Sequence, residues 1–425
     1  MNSESFTSNA WFEMALEIIR PGMLTTIQDR GRFGYRRDGV VVAGAMDEWA
    51  LRIANLLVGN LNSRSESGQI KPEPMALATG FDVATIYQTA PEASAYGSGR
   101  VSLSSLQSES LSRSPNVESP AIEFFLVGPT IDFHQDAIFA IYGGCWNASL
   151  GGKPVRCGTP YRARVGQRLE IREATAGAWG YLAVNGVFDT PKVLGSRSTH
   201  SRSRMGGFEG RALKAGDQIG FKSNCTALTF TANVSCRYVP WTDSVYGNSR
   251  DGNELDGGQQ SDSQNQSLAS TIRFVRGSHW GMLDASNQET VTNSKWIISK
   301  KSDRMGYRLE KPSESSLSQR VESDRLQLAS PFEMLSEPNT IGTIQLPSGG
   351  DPIILMSDAA TTGGYPRLGH VAHVDLPRLA QQRPGTAIQL QVISLAQAHQ
   401  LAIERERQWR RLLYGVRHEP WCALV

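Results

Sequence analysis

Three things are scarce in this chain: cysteine, net charge and long apolar runs. Its 425 residues hold 5 cysteines, Cys145, Cys157, Cys225, Cys236 and Cys422. They are odd in number, widely spread and without C-x-x-C spacing, which argues against a disulfide framework or zinc ribbon and fits reduced thiols in the cytosol. Lys and Arg number 43 against 41 Asp and Glu. So even a balance lacks the electrostatic footprint of a protein that binds nucleic acid or an anionic membrane. No apolar run is long enough to cross a bilayer. The start, Met1 to Met14, carries acids and lacks the basic and apolar blocks of a secretory signal. The expectation is a soluble, cytoplasmic protein. Also missing are a phosphate-loop lysine motif and a biotin-carrier hairpin with a methionine-flanked lysine, so ATP would be held by other means or by a partner.

What is present is β-rich. The length exceeds what one hydrophobic core usually covers, and two domains are expected. A flexible tail over 1–14 precedes a first domain over 15–240, which carries a serine-rich, low-complexity insertion at about 63–120. One short strand is expected within it, near Asp82 to Tyr87. A polar linker over 241–270 leads to a second domain over 271–425. Short apolar runs such as Ile122–Val127, Ala137–Tyr142, Tyr181–Val184, Ile272–Val275, Lys295–Ser299 and Ala387–Val392 are separated by Gly, Pro and Asp turns, the pattern of a sandwich or barrel. Helical spacing appears after Asp47, a candidate N-cap, with Gly59 and Asn60 as the stop, and again over Ser394 to Trp409.

Three stretches offer chemistry. Pro352–Met356 reads as a buried strand that delivers the loop Ser357-Asp358-Ala359-Ala360-Thr361-Thr362-Gly363-Gly364-Tyr365. Its paired glycines allow unusual backbone angles and close ligand approach, and its side chains offer donors and acceptors. An ordinary Gly-Gly hairpin explains the same residues. Thr25–Tyr35 sets Asp29, Arg30 and Arg32 among glycines, suited to a carboxylate, amide or phosphate, or to a solvated turn with internal ion pairs. The third is Ser302-Asp303-Arg304-Met305-Gly306-Tyr307-Arg308-Leu309. Leu194 to Leu213 is in addition a long, glycine-rich, basic connection of the kind that is usually functional or mobile.

Taken together, these segments resemble the carboxyltransferase-domain family. That family includes the C subunit of the bacterial ATP-dependent 5-oxoprolinase, allophanate hydrolase subunit 2-like proteins, the larger protein of a sporulation kinase-inhibitor pair, and the carboxyltransferase region of urea carboxylase. Carrying the resemblance are T-T-I-Q-D-R-G-R-F-G from Thr25, G-A-M-D from Gly44, A-N-L-L-V-G-N from Ala54 and L-G-S-R-S-T from Leu194. G-G-F-E-G-R-A-L-K-A-G-D from Gly206, S-D-R-M-G-Y-R-L from Ser302, S-E-P from Ser336, G-T-I-Q-L-P from Gly342, T-T-G-G-Y-P from Thr361 and L-A-Q-Q-R-P-G from Leu379 complete it. The chain departs from the family at Ala360, where glutamine is more usual, at Gly277-Ser278-His279 in place of Gly-Pro-Gln, and at Val40 in place of proline.

The resemblance implies a mainly β fold of two cyclophilin-like β-barrel domains with long polar loops and a C-terminal helix. It implies ATP-dependent opening of 5-oxoproline to glutamate together with two partners, a B-like subunit of related cyclophilin fold and an A-like subunit. The alternatives are a biotin-dependent carboxyltransferase component and a non-catalytic regulator that binds a kinase. Candidate catalytic residues are Asp29, Arg32, Arg304 and Asp358. Arginines would oppose developing negative charge, and the carboxylates would orient an arginine or move a proton. Candidate substrate contacts are Asp47, Tyr307, Arg308, Gln345, Thr361, Thr362, Gly363, Gly364 and Tyr365.

Plainer readings stand beside these. His370 and His373, on one strand, would face opposite ways, which speaks against a metal site. Arg304 and Arg308 have surface partners at hand in Asp303 and Glu310. Cys145 has no histidine close in sequence and reads as a buried thiol. The basic, amphipathic C-terminal helix is expected to pack on its own or a partner domain.

Overall fold

The computed structural model describes residues 15–60, 119–223, 270–312, 325–328 and 334–418. The expected tail, the strand near Asp82 and nearly all of the insertion and linker lie outside the described residues. In the first half, one sheet orders β12 (Gln218–Ile219), β1 (Leu16–Arg20), β4 (Thr130–Phe133), β9 (Arg168–Ala176), β6 (Cys145–Leu150) and β7 (Lys153–Val155). The facing sheet orders β2 (Thr26–Gln28), β3 (Ala121–Phe125), β10 (Trp179–Val184), β5 (Ala137–Tyr142) and β8 (Pro160–Ala163), and β11 (Gly186–Phe188) pairs with β13 (Phe221–Ser223). In the second half, β14 (Ser270–Arg276), β21 (Arg367–Val371), β18 (Thr343–Gln345), β19 (Ile353–Leu355), β16 (Gly306–Glu310), β15 (Lys295–Ile298) and β22 (Ala387–Val392) close into a barrel. The closing pair, β14 and β22, is parallel. The fold is mainly β, as expected.

Strand periodicity decides which side chains meet. Along β3, Ile122 and Phe124 enter the core between the two sheets of the first half, so Ala121 and Glu123 face the other way. That other face joins a second apolar cluster, which runs from Tyr142, Trp179 and Tyr181 into the barrel residues Trp296, Ile344 and Leu390. One continuous core therefore spans the two halves, and anything polar on that face of β3 lies in the seam between them.

Helices clamp the seam. In α1 (Glu48–Leu57) the Asp47 carboxylate accepts the Ala50 N–H at 2.9 Å, the N-cap expected from sequence. Gly59, at φ 80°, follows the last turn. Two further helices, α2 (Ala285–Asn293) and α3 (Leu376–Ala380), belong to the second half. The C-terminal α4 spans Leu395–His418, longer than the sequence suggested. It leaves the barrel and packs Trp409 edge-on against Trp49 of α1 at 5.4 Å, with Arg52 over Trp409 and Arg405 over Trp49.

Two expectations need correction. Cys145 is exposed at the start of β6, where its strand leaves the core; of the two described cysteines Cys157 is the more enclosed, half-buried, with desolvation pushing its pKa up to about 12. His370 lies on β21, but His373 sits in a 3₁₀ turn after the strand, so the two never share one. Burial, with Arg367 nearby, pushes His370 down to about 4 and leaves it neutral. Among the described residues no group of three or more His, Cys, Asp or Glu side chains is placed to hold a metal ion.

Candidate active site

Glu123 is the centre of the seam. It is fully buried, and its carboxylate accepts the Met46 N–H at 2.8 Å, the Tyr181 hydroxyl at 2.7 Å and the Arg304 guanidinium. Tyr181 stands directly across from Glu123 in the pairing of β10 with β3, so sheet register alone brings them together. Arg304 arrives from the second half. The Asp303 carboxylate accepts the Met305 N–H at 2.8 Å, and this turn between β15 and β16 aims Arg304 inward. The expected surface pair of Arg304 with Asp303 is therefore replaced by a buried one. Arg304 grips Asp358 through two hydrogen bonds of 2.9 and 3.0 Å, and donates to the Gly44 carbonyl at 2.6 Å. Ser357 donates to the Ala45 carbonyl at 2.9 Å. Burial works to lower the pKa of Arg304, and Asp358 and Glu123 together outweigh it. Burial raises that of Glu123 against the pull of Arg304.

A second chain of hydrogen bonds extends the seam. Gln381, just past α3, accepts the Ala178 and Trp179 N–H groups at 2.9 and 3.1 Å. It donates to Asp47 at 2.8 Å and to the Trp179 carbonyl at 3.0 Å. The Trp179 indole donates to the Tyr307 hydroxyl, which donates to the Ala380 carbonyl. Asp47 and Tyr307, both candidate substrate contacts, thus have structural partners in the seam.

Asp29 organises the long connection after β11, residues 194–211. Its carboxylate accepts the hydroxyls of Ser196 and Ser198 at 2.6 and 2.5 Å and the N–H groups of Gly31 and Arg197 at 2.8 and 2.6 Å. Three of these donors converge on Oδ1 and one, the Arg197 N–H, reaches Oδ2. Arg32 is fully buried beside it and donates from Nη2 to the Ser198 carbonyl. Its Nε and Nη1 have no hydrogen-bond partner among the described residues. Leaving such donors buried and unpaired costs about 1–3 kcal/mol each. Burial lowers the Arg32 pKa, with Asp29 and Asp358 opposing. His200 lies on this same connection, a strap over Arg32, its Nδ1 2.6 Å from the Ser203 hydroxyl. Burial holds its pKa down against Asp358, and Arg32, Arg304 and Arg202 add to the lowering, so the ring stays neutral.

Other candidates gather elsewhere. Gln345 is buried and donates to Asn339 at 3.1 Å. Gly363 lies against both amides, where any Cβ would collide, and β20 (Thr362–Gly363) pairs with β17 (Glu337–Pro338). Close packing, not left-handed backbone, is what selects glycine there: neither Gly363 nor Gly364 has a positive φ. Thr361 contributes its carbonyl to the Asn339 N–H at 2.8 Å, while Thr362, Gly364 and Tyr365 are exposed. Arg308 is exposed on the outer face of β16 and joins neither cluster. A cavity of about 640 Å³ beside α2, β14 and β22 touches none of the candidates.

A family model described as carboxyltransferase domain, subdomain A and B, matches residues 114–392. This chain belongs to that family. The carboxyltransferase-domain chain is 31% identical over 391 residues to the C subunit of 5-oxoprolinase from Haemophilus influenzae, covering 92% of this chain and 95% of that protein. It is 30% identical over 404 residues to the Escherichia coli protein of the same name, covering 95% and 99%. Similarity to the urea amidolyase of Lachancea kluyveri is 29% over 391 residues, 91% of this chain but 17% of that one. Among solved structures, Kluyveromyces lactis urea amidolyase matches with a TM-score of 0.67 at 24% identity, over 98% of this chain and 21% of that chain, a likeness of fold.

In this carboxyltransferase-domain chain, sequence reasoning singled out Arg304, Asp358, Asp29 and Arg32. It missed Glu123, Tyr181, His200 and Gln381. The one available signal was an acid inside an otherwise apolar strand, Ile122-Glu123-Phe124-Phe125.

Proposed function

We propose that this chain is the C subunit of an ATP-dependent 5-oxoprolinase, opening 5-oxoproline to glutamate with A-like and B-like partners and inactive alone. The observation that carries this reading is similarity running through nearly the whole length of two proteins named as the C subunit of 5-oxoprolinase. The chemistry calls for help, because a five-membered lactam is a stabilised amide. Transfer of a phosphoryl group from ATP to the lactam oxygen, with release of ADP, activates the ring carbon. One water adds there, and the C–N bond breaks as the nitrogen takes a proton to leave a ring-opened acyl phosphate. A second water hydrolyses that to glutamate and phosphate. A cation beside the developing negative charge favours these steps. Arg304 is already neutralised by Asp358 and Glu123, so it acts as a positioning residue that fixes the loops of the two halves. Arg32, with two guanidinium nitrogens that lack a hydrogen-bond partner among the described residues, is available to bind an anionic group of the substrate. Its closed setting suits one small acidic group and not a triphosphate with its metal ion, so ATP is assigned to the partners.

The test is release of glutamate and phosphate from 5-oxoproline and ATP by the chain mixed with its A-like and B-like partners. Product that disappears when this chain is omitted is the expected result. A stable complex without product would overturn it and favour the second reading, carboxyl transfer from carboxybiotin, which the urea amidolyase similarity supports.

A further inference from the structure

We infer that Arg32 is the receptor for the substrate's permanent carboxylate, and that residues 196–207 form the cover over that subsite. This rests on the 5-oxoprolinase reading and names which end of the substrate the seam holds. Arg32 has no exposed surface, yet two of its three guanidinium nitrogens have no hydrogen-bond partner among the described residues. The carboxylate next to it, Asp29, accepts from Ser196, Ser198, Gly31 and Arg197 and makes no hydrogen bond to Arg32. The cation is thus held in place by neighbours that do not satisfy it, an arrangement that an incoming anion completes.

The cover is equally specific. Ser198 lends its carbonyl to Arg32 Nη2, and Gly206, at φ 67°, sits so close that a Cβ would collide with the same guanidinium. Gly207 lies as tightly against Thr199. Among the described residues, Arg202 Nη1 ties the strap to the second half through the Met305 sulfur at 3.1 Å, and sulfur is a weak acceptor. Opening Arg32 means releasing the strap from its ties within the first half, Ser196, Ser198 and the Arg197 N–H on Asp29 and Thr199 on the Ile27 carbonyl, so the anion must replace the Ser198 carbonyl at Arg32. A permanent anion suits this subsite better than the lactam oxygen does. Arg32 is charged and desolvated through the whole cycle, and only a ligand charged through the whole cycle relieves that state.

The experiment compares 5-oxoproline with its neutral primary amide, as substrates of the reconstituted complex and as calorimetric ligands of the full-length chain, using wild type, Arg32→Lys and Arg32→Gln. Wild type is expected to favour the acid over the amide. Arg32→Gln is expected to raise KM and Kd for the acid about tenfold or more with little change in kcat, and to leave the amide unaffected, with Arg32→Lys intermediate. Equal wild-type affinity for acid and amide overturns the inference, and that comparison needs no variant to fold. A folded Arg32→Gln with unchanged KM, or with a loss confined to kcat, overturns it as well, the latter placing Arg32 at the lactam oxygen. If no glutamate forms but the chain binds 5-oxoproline in an Arg32-dependent way, the oxoprolinase reading fails and the carboxylate subsite stands.

Discussion

Arg304→Met is expected to lose about 3–5 kcal/mol of stability, read as a lower urea midpoint with an unchanged denaturant slope. The side chain fits the space, so packing is nearly preserved and the loss is electrostatic. It leaves Glu123, fully buried, and Asp358, largely buried, without their shared counter-ion. The Gly44 carbonyl also loses its donor. Adding Glu123→Gln to Arg304→Met should recover part of the loss, because one of the two stranded charges is then gone. A double variant no more stable than Arg304→Met alone would mean that Glu123 does not depend on Arg304.

Gln381→Leu is expected to cost roughly 2–4 kcal/mol, since the Ala178 and Trp179 N–H groups and one Asp47 oxygen lose partners in a place water does not reach. Gln381→Glu separates size from chemistry. It keeps the acceptor but sets a second carboxylate against Asp47, so its deficit at pH 7 should shrink as the pH falls into the carboxylate range. A pH-independent deficit would show that the Asp47 contact carries little of the effect.

The β character of both halves, the Asp47 cap and the C-terminal helix were legible because each is written in local pattern: alternating apolar residues, a short acceptor before a helical run, a 3.6-residue period. The seam was not. Glu123 and Arg304 are 181 residues apart, and their meeting depends on which face of β3 Glu123 takes and on how the halves dock. Likewise Asp29 reads as half of an ion pair with a neighbouring arginine, whereas the fold spends it on hydroxyls and amides near residue 197. The loop at Thr361–Tyr365 stands out in the sequence through its paired glycines. Close contact with the Asn339 and Gln345 amides accounts for Gly363, and that cluster shares no side-chain hydrogen bond with Arg304.

On the proposed function, substrate enters the seam under the strap and beside Arg32. Amide hydrogen exchange on the reconstituted complex, with and without saturating 5-oxoproline, tests it most directly. The expected result is slowed exchange in peptides covering 28–47, 196–207 and 302–308. Slowing confined to 339–365, or seen on the partners and nowhere on this chain, would place the substrate elsewhere and rule out the Arg32 subsite.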